Sequence, residues 1–369
     1  MKHQMAQLPG HNGLSADKLK ILVIQQKMIG DVLATSIICN NLKQRYPDAR
    51  VDYLIYPFTQ PVILNNPNID HVVLFDDRYR KSKMALLGFA LRLRRQQYDI
   101  VIDAYGKTES NLIVLFSGAK VKLGFYKKYT RFLYTQTVRE IPAPLTNAGT
   151  ALENRMNLLN LLAPGATADI RPKIWLTEAE IENGKKILER HQVTSGNIFM
   201  IGVLGSGDNK TYPFPYMAKL LDFIVARTGA VLLFNYMPSQ SEEAKTIYSL
   251  CLPQTQRQIR LDVVPGSIRE FLSITYHCRA LIGNEGGAVN MAKAIGVPTF
   301  TVFSTWIKKE AWSSFEDGTT NVSVHLKDFK PELYGAKSPK EMKKQAKELY
   351  LEYQPELIIP VLGDYLDRF

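Results

Sequence analysis

Apolar and polar positions alternate along the chain in blocks that predict strands and helices in turn. Ile21-Leu22-Val23-Ile24 is a short apolar run of the kind a buried parallel strand needs. A turn comes next, and a helical pattern runs from Val32 to Arg45, ended by Pro47-Asp48. Further strands are predicted at Val51–Ile55, His71–Phe75, Ile100–Asp103 and Val121–Phe125, with helices at Met84–Gln97 and Ser110–Ser117. Asp76-Asp77 reads as a solvated loop. Strands alternating with helices in this way indicate an α/β domain built on a mostly parallel sheet.

The pattern then restarts. Leu152–Leu162 has apolar residues at helical spacing, and the turn-rich APGATADIRPKIW (163–175) reads as a linker. A helix opened by Thr177 and closed near His191 leads into a strand at Ile198–Leu204. After it come the loop GSGDNKTYP (205–213), a helix ended by Gly229, the strand AVLLFNY (230–236), and helices at 241–252 and 267–278, the latter with Ser267 as N-cap. The strand ALIGN (280–284), a glycine turn, the short helix 288–296 and the strand TFTVF (299–303) complete a second doubly wound domain. Helical stretches such as PKEMKKQAKELYLEYQ fill the last forty residues. The predicted division is a disordered lead-in (1–18), a first Rossmann-like domain (19–175), a second (176–335), and C-terminal helices (336–369). A length of 369 residues suits two domains at roughly 150 residues each. Two such domains leave a cleft, and ligands in these folds bind at the carboxyl ends of the strands.

Composition narrows the picture. No apolar run is long enough to cross a membrane, and the polar N-terminus lacks the apolar core of a secretory signal. The three cysteines (39, 251 and 278) are far apart and read as reduced core residues of a cytoplasmic chain. The net charge of +11 points to an anionic partner. Basic residues concentrate at 78–83, 91–97 and 125–134, all in the first domain, and the last stretch interleaves aromatics with Lys127, Lys128 and Arg131. No nucleic-acid-binding signature accompanies them. A peripheral membrane face or an anionic acceptor site fits better than nucleic acid, and a solvated basic surface is the default for any one stretch.

Two stretches of the second domain suit phosphate. In Asn284-Glu285-Gly286-Gly287 a strand runs directly into a helix, whose first amides and dipole favour an anion; a tight turn would need the glycines equally. In GSGDNKTYP small residues come after a strand, and Lys210 adds a mobile cation, although the spacing is not that of a P-loop. Glu242 and Glu243 open a helix after a strand. Compensation of the helix dipole accounts for at least one of them, and hydrogen bonding to ribose hydroxyls is the functional alternative. In the first domain Asp31 stands at the strand-to-helix junction, where a carboxylate would repel phosphate. It is open to two compatible readings, an N-cap for the helix from Val32 and a general base for a hydroxyl. No D-x-D motif is present, so no metal-bound diphosphate is expected, and no cofactor.

These residues resemble the ADP-heptose:lipopolysaccharide heptosyltransferases, the bacterial glycosyltransferase family 9. The family's K-x-x-x-G-D-hydrophobic turn is matched by Lys27 to Leu33. Its D-[ST]-G-x-x-H-x-A-A-A-x-G-x-P-T stretch is matched loosely by Glu285 to Thr299, and its K-x-W-P loop by Lys210 to Pro213. The resemblance, from about Lys20 to Thr305, implies the GT-B fold: two Rossmann-like, doubly wound parallel-sheet domains facing across a cleft, often with C-terminal helices crossing back to the first. It implies an inverting, metal-independent transfer of heptose from ADP-heptose to lipopolysaccharide core or a related anionic glycolipid, by an enzyme peripheral on the inner face of the cytoplasmic membrane. Asp31 would be the base. Gly205, Ser206, Lys210, Glu285, Gly286, Gly287 and Asn290 would hold the donor diphosphate, with Glu242 on the ribose and Gly266 near the adenine. Lys27, Lys127, Lys128 and Arg131 are the candidates on the acceptor side. The chain departs from the family at Glu285 (aspartate), Gly286 (serine or threonine) and Asn290 (histidine). Asn290 donates a hydrogen bond but carries no charge, and Glu285 is a methylene longer. These departures keep a non-catalytic nucleotide-sugar or glycolipid binding protein in play, and a GT-B sugar-nucleotide epimerase is the rival among enzymes.

Overall fold

A computed structural model describes residues 19–162, 165, 169–194, 196–335 and 337–369. The predicted lead-in and part of the predicted linker lie outside the described residues. The chain divides into two compact units between Trp175 and Leu176.

The first unit runs β1 (Lys20–Ile24), α1 (Ile29–Arg45), β2 (Arg50–Ile55), β3 (His71–Leu74), α2 (Asp77–Lys81), α3 (Lys83–Arg94), β4 (Ile100–Asp103), α4 (Thr108–Phe116), β5 (Val121–Phe125), β6 (Gln136–Val138) and α5 (Thr150–Asn160). Its six strands are parallel, in the order β3-β2-β1-β4-β5-β6. The central strands are buried on both faces, which is why they read as unbroken apolar runs. Helix α5 packs on α1, and α3 packs on α4 and α2. Leu22, Ile24, Leu54, Phe75, Phe89 and Ile113 lie in the core beneath α3 and α4.

The second unit runs α6 (Glu178–Arg190), β7 (Ile198–Gly202), α7 (Phe214–Thr228), β8 (Val231–Asn235), α8 (Ser241–Leu250), α9 (Pro253–Gln256), β9 (Ile259–Arg260), α10 (Ile268–Thr275), β10 (Ala280–Asn284), α11 (Gly287–Ala294), β11 (Thr299–Val302), α12 (Lys309–Trp312), β12 (Asn321–Val324) and α13 (Leu326–Phe329), then α14 (Pro339–Lys344), α15 (Ala346–Glu352) and α16 (Pro355–Leu366). Its sheet, β12-β11-β10-β7-β8-β9, repeats the first unit's order and is again all parallel. Thr177 and Ser267 are the N-caps their positions predict. The C-terminal helices enter this unit's core through Tyr353, Ile358, Leu362 and Tyr365, and α16 lies on α7.

Two expectations need correction. Helix α1 begins at Ile29, with Met28 at the N-cap and no side-chain cap bond. Asp31 therefore lies inside the first turn. A carboxylate there favours the positive end of the helix dipole without capping it, and its oxygen is taken by cations instead of a backbone amide. Asp76-Asp77 is no loop: Asp76 holds the N-cap position of α2 and Asp77 is its first residue.

Candidate active site

In both sheets the order reverses between the first and fourth strands of the unit. At such a switch point the loops leaving the two central strands diverge and open a crevice at their carboxyl ends. In the second unit these are the strands β7 and β10, so the topology brings together the two stretches singled out as phosphate sites.

The 203–212 loop after β7 is held from three sides. Gly205 lies so close to the chain returning at Lys210 that a Cβ would meet the Lys210 carbonyl oxygen at 2.2 Å. Only glycine fits there. The Gly205 amide donates to Thr211 Oγ1 at 3.1 Å, and Thr211 donates on to Gly207 O at 3.0 Å. Gln240 Nε2 donates to Gly205 O at 2.9 Å. Asn284, buried at the end of β10, donates through Nδ2 to Gly202 O and Val203 O at 2.9 and 3.0 Å and accepts from the Tyr212 amide at 2.7 Å. One amide side chain thus fastens both ends of the loop to the neighbouring strand. Trp306 Nε1 donates to Asn209 O at 2.8 Å, and its ring lies under the Lys210 and Lys343 ammonium groups at 5.6 and 4.8 Å. Gln240, Trp306 and Lys343 are residues that sequence reasoning missed, and the fastening role of Asn284 is another.

Lys210 Nζ lies 3.1 Å from Glu285 Oε1, the carboxylate being largely buried. Beside this pair α11 begins at Gly287, after Gly286 at its N-cap. The first amides of a helix have no acceptor within it. Cation, dipole and unpaired amides are the features an anion site needs, and a phosphate bound there would compete with Glu285 for Lys210. Asn290 Nδ2 reaches Gly286 O at a long 3.4 Å, and Ser206 is exposed. Glu242 and Gly266 are engaged elsewhere: Glu242 is exposed and pairs with Lys245 at 2.7 Å, and the Gly266 amide donates to the Glu270 carboxylate. It is Glu243 that lines a pocket of about 280 Å³ beside the loop, with Asp208, Phe214, Lys347 and Tyr350.

In the first unit Asp31 is buried near the carboxyl end of β1. Its Oδ1 accepts from Arg155 Nη2 at 3.0 Å and lies 3.3 Å from Lys27 Nζ. Arg155, on α5, also donates to Ala151 O at 2.7 Å and Thr35 Oγ1 at 3.2 Å, so its guanidinium is fixed before it meets the carboxylate. Both cations approach one oxygen. Next to β1, Asp103 ends β4: its Oδ1 accepts from the Tyr105 and Gly106 amides and its Oδ2 from Tyr134. Burial raises the pKa of Asp103. Its bonds make it the anchor of the turn after β4. Lys127 Nζ donates to Gly106 O at 2.5 Å, so that candidate is committed to the same turn, while Lys128 and Arg131 are exposed. The buried amide of Gln26 has no hydrogen-bonding partner among the described residues. No group of three or more His, Cys, Asp or Glu side chains among them is arranged to hold a metal ion.

Comparison with known proteins identifies the family and the fold. The family model of glycosyltransferase family 9 (heptosyltransferase) matches residues 87–340. Lipopolysaccharide heptosyltransferase 3 of Escherichia coli is 25% identical over 289 residues, which is 74% of this chain and 80% of that one. Among solved structures, a family 9 glycosyl transferase from Veillonella parvula aligns with a TM-score of 0.72 at 18% identity, covering 93% of this chain and all of that one (100%). The ADP-heptose lipopolysaccharide heptosyltransferase II of E. coli aligns at 0.66 and 15% identity, covering 91% and 99%. The two six-stranded parallel sheets are thus those of the GT-B fold, and the chain is a glycosyltransferase that belongs to family 9, the heptosyltransferase family.

Proposed function

We propose that the enzyme transfers heptose from ADP-heptose, with inversion and without a metal ion, to a hydroxyl of lipopolysaccharide core or a related anionic glycolipid, in the cytoplasm. The observation that carries this is Asp31: a buried carboxylate at the first unit's switch point, oriented through one oxygen by Arg155 and Lys27. The acceptor hydroxyl gives its proton to Asp31 as its oxygen bonds to the anomeric carbon. The bond from that carbon to the diphosphate breaks, and the electron pair leaves on the diphosphate. Lys210 and the first amides of α11 stabilise that charge. The names of the E. coli relatives support the donor and the acceptor class. The Glu243-lined pocket makes Glu243, alongside Glu242, a candidate for the ribose hydroxyls.

Asp31→Asn is expected to abolish transfer from ADP-heptose to extracted glycolipid while ADP binding, measured by calorimetry, stays within about twofold, since that residue contributes to the chemical step only. Substantial residual turnover in this variant would remove the general-base role. A wild-type chain that binds ADP but transfers no sugar from any nucleotide donor would favour the non-catalytic reading that Glu285, Gly286 and Asn290 keep in play.

A further inference from the structure

One layer of the first unit, α2 and α3 with α4 and the loop after β5, carries an apolar surface that nothing in the chemistry above uses. Helix α3 buries Leu86, Phe89, Ala90 and Leu93 against the sheet. Its opposite face presents Met84, Leu87 and Leu91, at 86%, 43% and 43% exposure. Their spacing of three and four residues puts them on one stripe. Gly88, on the same stripe, leaves it unobstructed. On the adjoining helix α4, Leu115 is 47% exposed. The two helices meet there: Arg94 packs beside Gly118, just past the end of α4, and Lys122 Nζ lies 3.5 Å from Leu115 O. Past β5, toward the carboxyl ends of the strands, Tyr129 and Phe132 are 75% and 78% exposed.

The charge around this surface has one sign. From Arg78 to Gln97 there are seven basic residues and no carboxylate, and from Ser110 to Arg139 six and none. Arg78 and Arg92 are occupied by the Tyr79 hydroxyl, at 2.8 and 2.7 Å. Lys83, Arg94, Arg95 and Lys128 remain along the rim as exposed cations. Burial and the nearby Arg94 lower the pKa of Lys122, as expected of cations crowded without a counterion. The layer's carboxylates, Asp76, Asp77 and Glu109, stand at the N-termini of α2 and α4, and Asp77 is 3.6 Å from Arg80.

We propose that this layer docks on an anionic lipid bilayer, with Met84, Leu87, Leu91 and Leu115 entering the interface and Lys83, Arg94 and Arg95 meeting the headgroups. Leucines ringed by arginine and lysine match a surface that is apolar below and negative above. A partner protein with an apolar patch would not call for a rim of a single sign. Tyr129 and Phe132, beside Lys128 and Arg131, add a second contact of the same character. The proposal deepens the reading of a membrane-bound acceptor, and it is tested without that acceptor, so that docking and transfer fail separately.

The full chain is floated with vesicles of phosphatidylcholine alone or mixed with phosphatidylglycerol. It is expected to float with the mixed vesicles, to stay behind with the neutral ones, and to be released by salt. Leu87→Gln with Leu91→Gln is expected to lower the partition at least about tenfold. Arg94→Glu with Arg95→Glu should lower it about fivefold or more per cation. ADP affinity and transfer to a detergent-dispersed acceptor should be unchanged in all of them. These positions are exposed, and thermal unfolding checks that each variant folds. Failure of the wild type to float overturns the proposal. So does a leucine variant that floats like the wild type, which would leave only a solvated basic face. A wild-type dimer in sedimentation velocity that the leucine substitutions dissociate also overturns it, in favour of a second copy as the occupant.

Discussion

At the scale of the residue, Asp31 and Lys210 are each held by a partner distant in sequence. Arg155 lies 124 positions from Asp31, and Glu285 lies 75 from Lys210. The sequence motif displays the carboxylate and the ammonium, but a pairing across such distances leaves no local trace, because it is made by the sheet order and not by spacing. Arg155→Met leaves the buried Asp31 with Lys27 as its remaining cation among the described residues. Removing one member of a largely buried pair costs about 3 kcal/mol, so urea denaturation should show a loss of that order. Because the guanidinium orients the carboxylate, kcat should fall more than the donor KM rises. An unchanged kcat would make Arg155 purely structural. His325 gives a second, independent reading. It is buried at the start of α13, where Nδ1 accepts from the Lys327 amide at 3.1 Å, and burial lowers its pKa to about 4. In the unfolded chain the ring titrates near 6.5. Between these values the unfolded chain binds more protons, so stability rises with pH across the window from about 4 to about 6.5 and is lost as pH falls through it. The contribution is at most about 3 kcal/mol. The melting temperature of the wild type should therefore fall more steeply than that of His325→Asn as pH drops below about 6.5.

At the scale of the element, the central strands were legible because a parallel strand buried on both faces must be apolar along its whole length. Ile100–Asp103, buried along its whole length, has the bounds the pattern predicts. The edge strands β6 (Gln-Thr-Val) and β12 (Asn-Val-Ser-Val) were not, being short and mixed in polarity. Helix α1 begins three residues before the pattern predicts because Gly30 and Asp31 look like a turn, whereas helix formation is decided by packing as well as propensity. For the candidate site, the two stretches proposed for phosphate are legible as strand-to-helix transitions with small residues. Their fastening is not, since Asn284 looks like one more turn residue. Its three hydrogen bonds give it a sharper part: it couples β10 to both ends of the 203–212 loop. Asn284→Ala leaves two carbonyls and one amide to find other partners, at a cost of about 2–4 kcal/mol, and should loosen the loop, lowering ADP affinity along with the melting temperature. Gly205→Ala separates the two effects. Its Cβ would collide with the Lys210 carbonyl oxygen, so the loop that carries Lys210 must move. Calorimetry should show ADP affinity falling about tenfold, the effect of losing one charge-assisted contact, with a smaller change in stability than Asn284→Ala.

At the scale of the whole molecule, each unit has its own six-stranded sheet and its own core, so damage to one core should stay in that unit. The C-terminal helices test this. Helix α16 is amphipathic, and Ile358, Leu362, Tyr365 and Leu366 are each 3% exposed or less in the second unit's core. Around them, Tyr212 donates to Tyr353 O at 2.6 Å and Arg227 grips Asp367 through two hydrogen bonds, so the end of the chain is fastened to the loop beside Lys210 and to the end of α7. Burying four such side chains stabilises the unit by about 6–12 kcal/mol. A domain's whole margin is about 5–15 kcal/mol. A chain ending at Gln354 should therefore lose the second unit's fold and with it ADP binding, while the first unit keeps its own packing. Limited proteolysis of the shortened chain should leave a resistant fragment ending near Trp175 and digest the second unit, and that fragment should still float with anionic vesicles, because α3 and α4 belong to it. If the shortened chain instead bound ADP normally, α16 would be a surface helix whose buried side chains add little, and the second core would be complete without it.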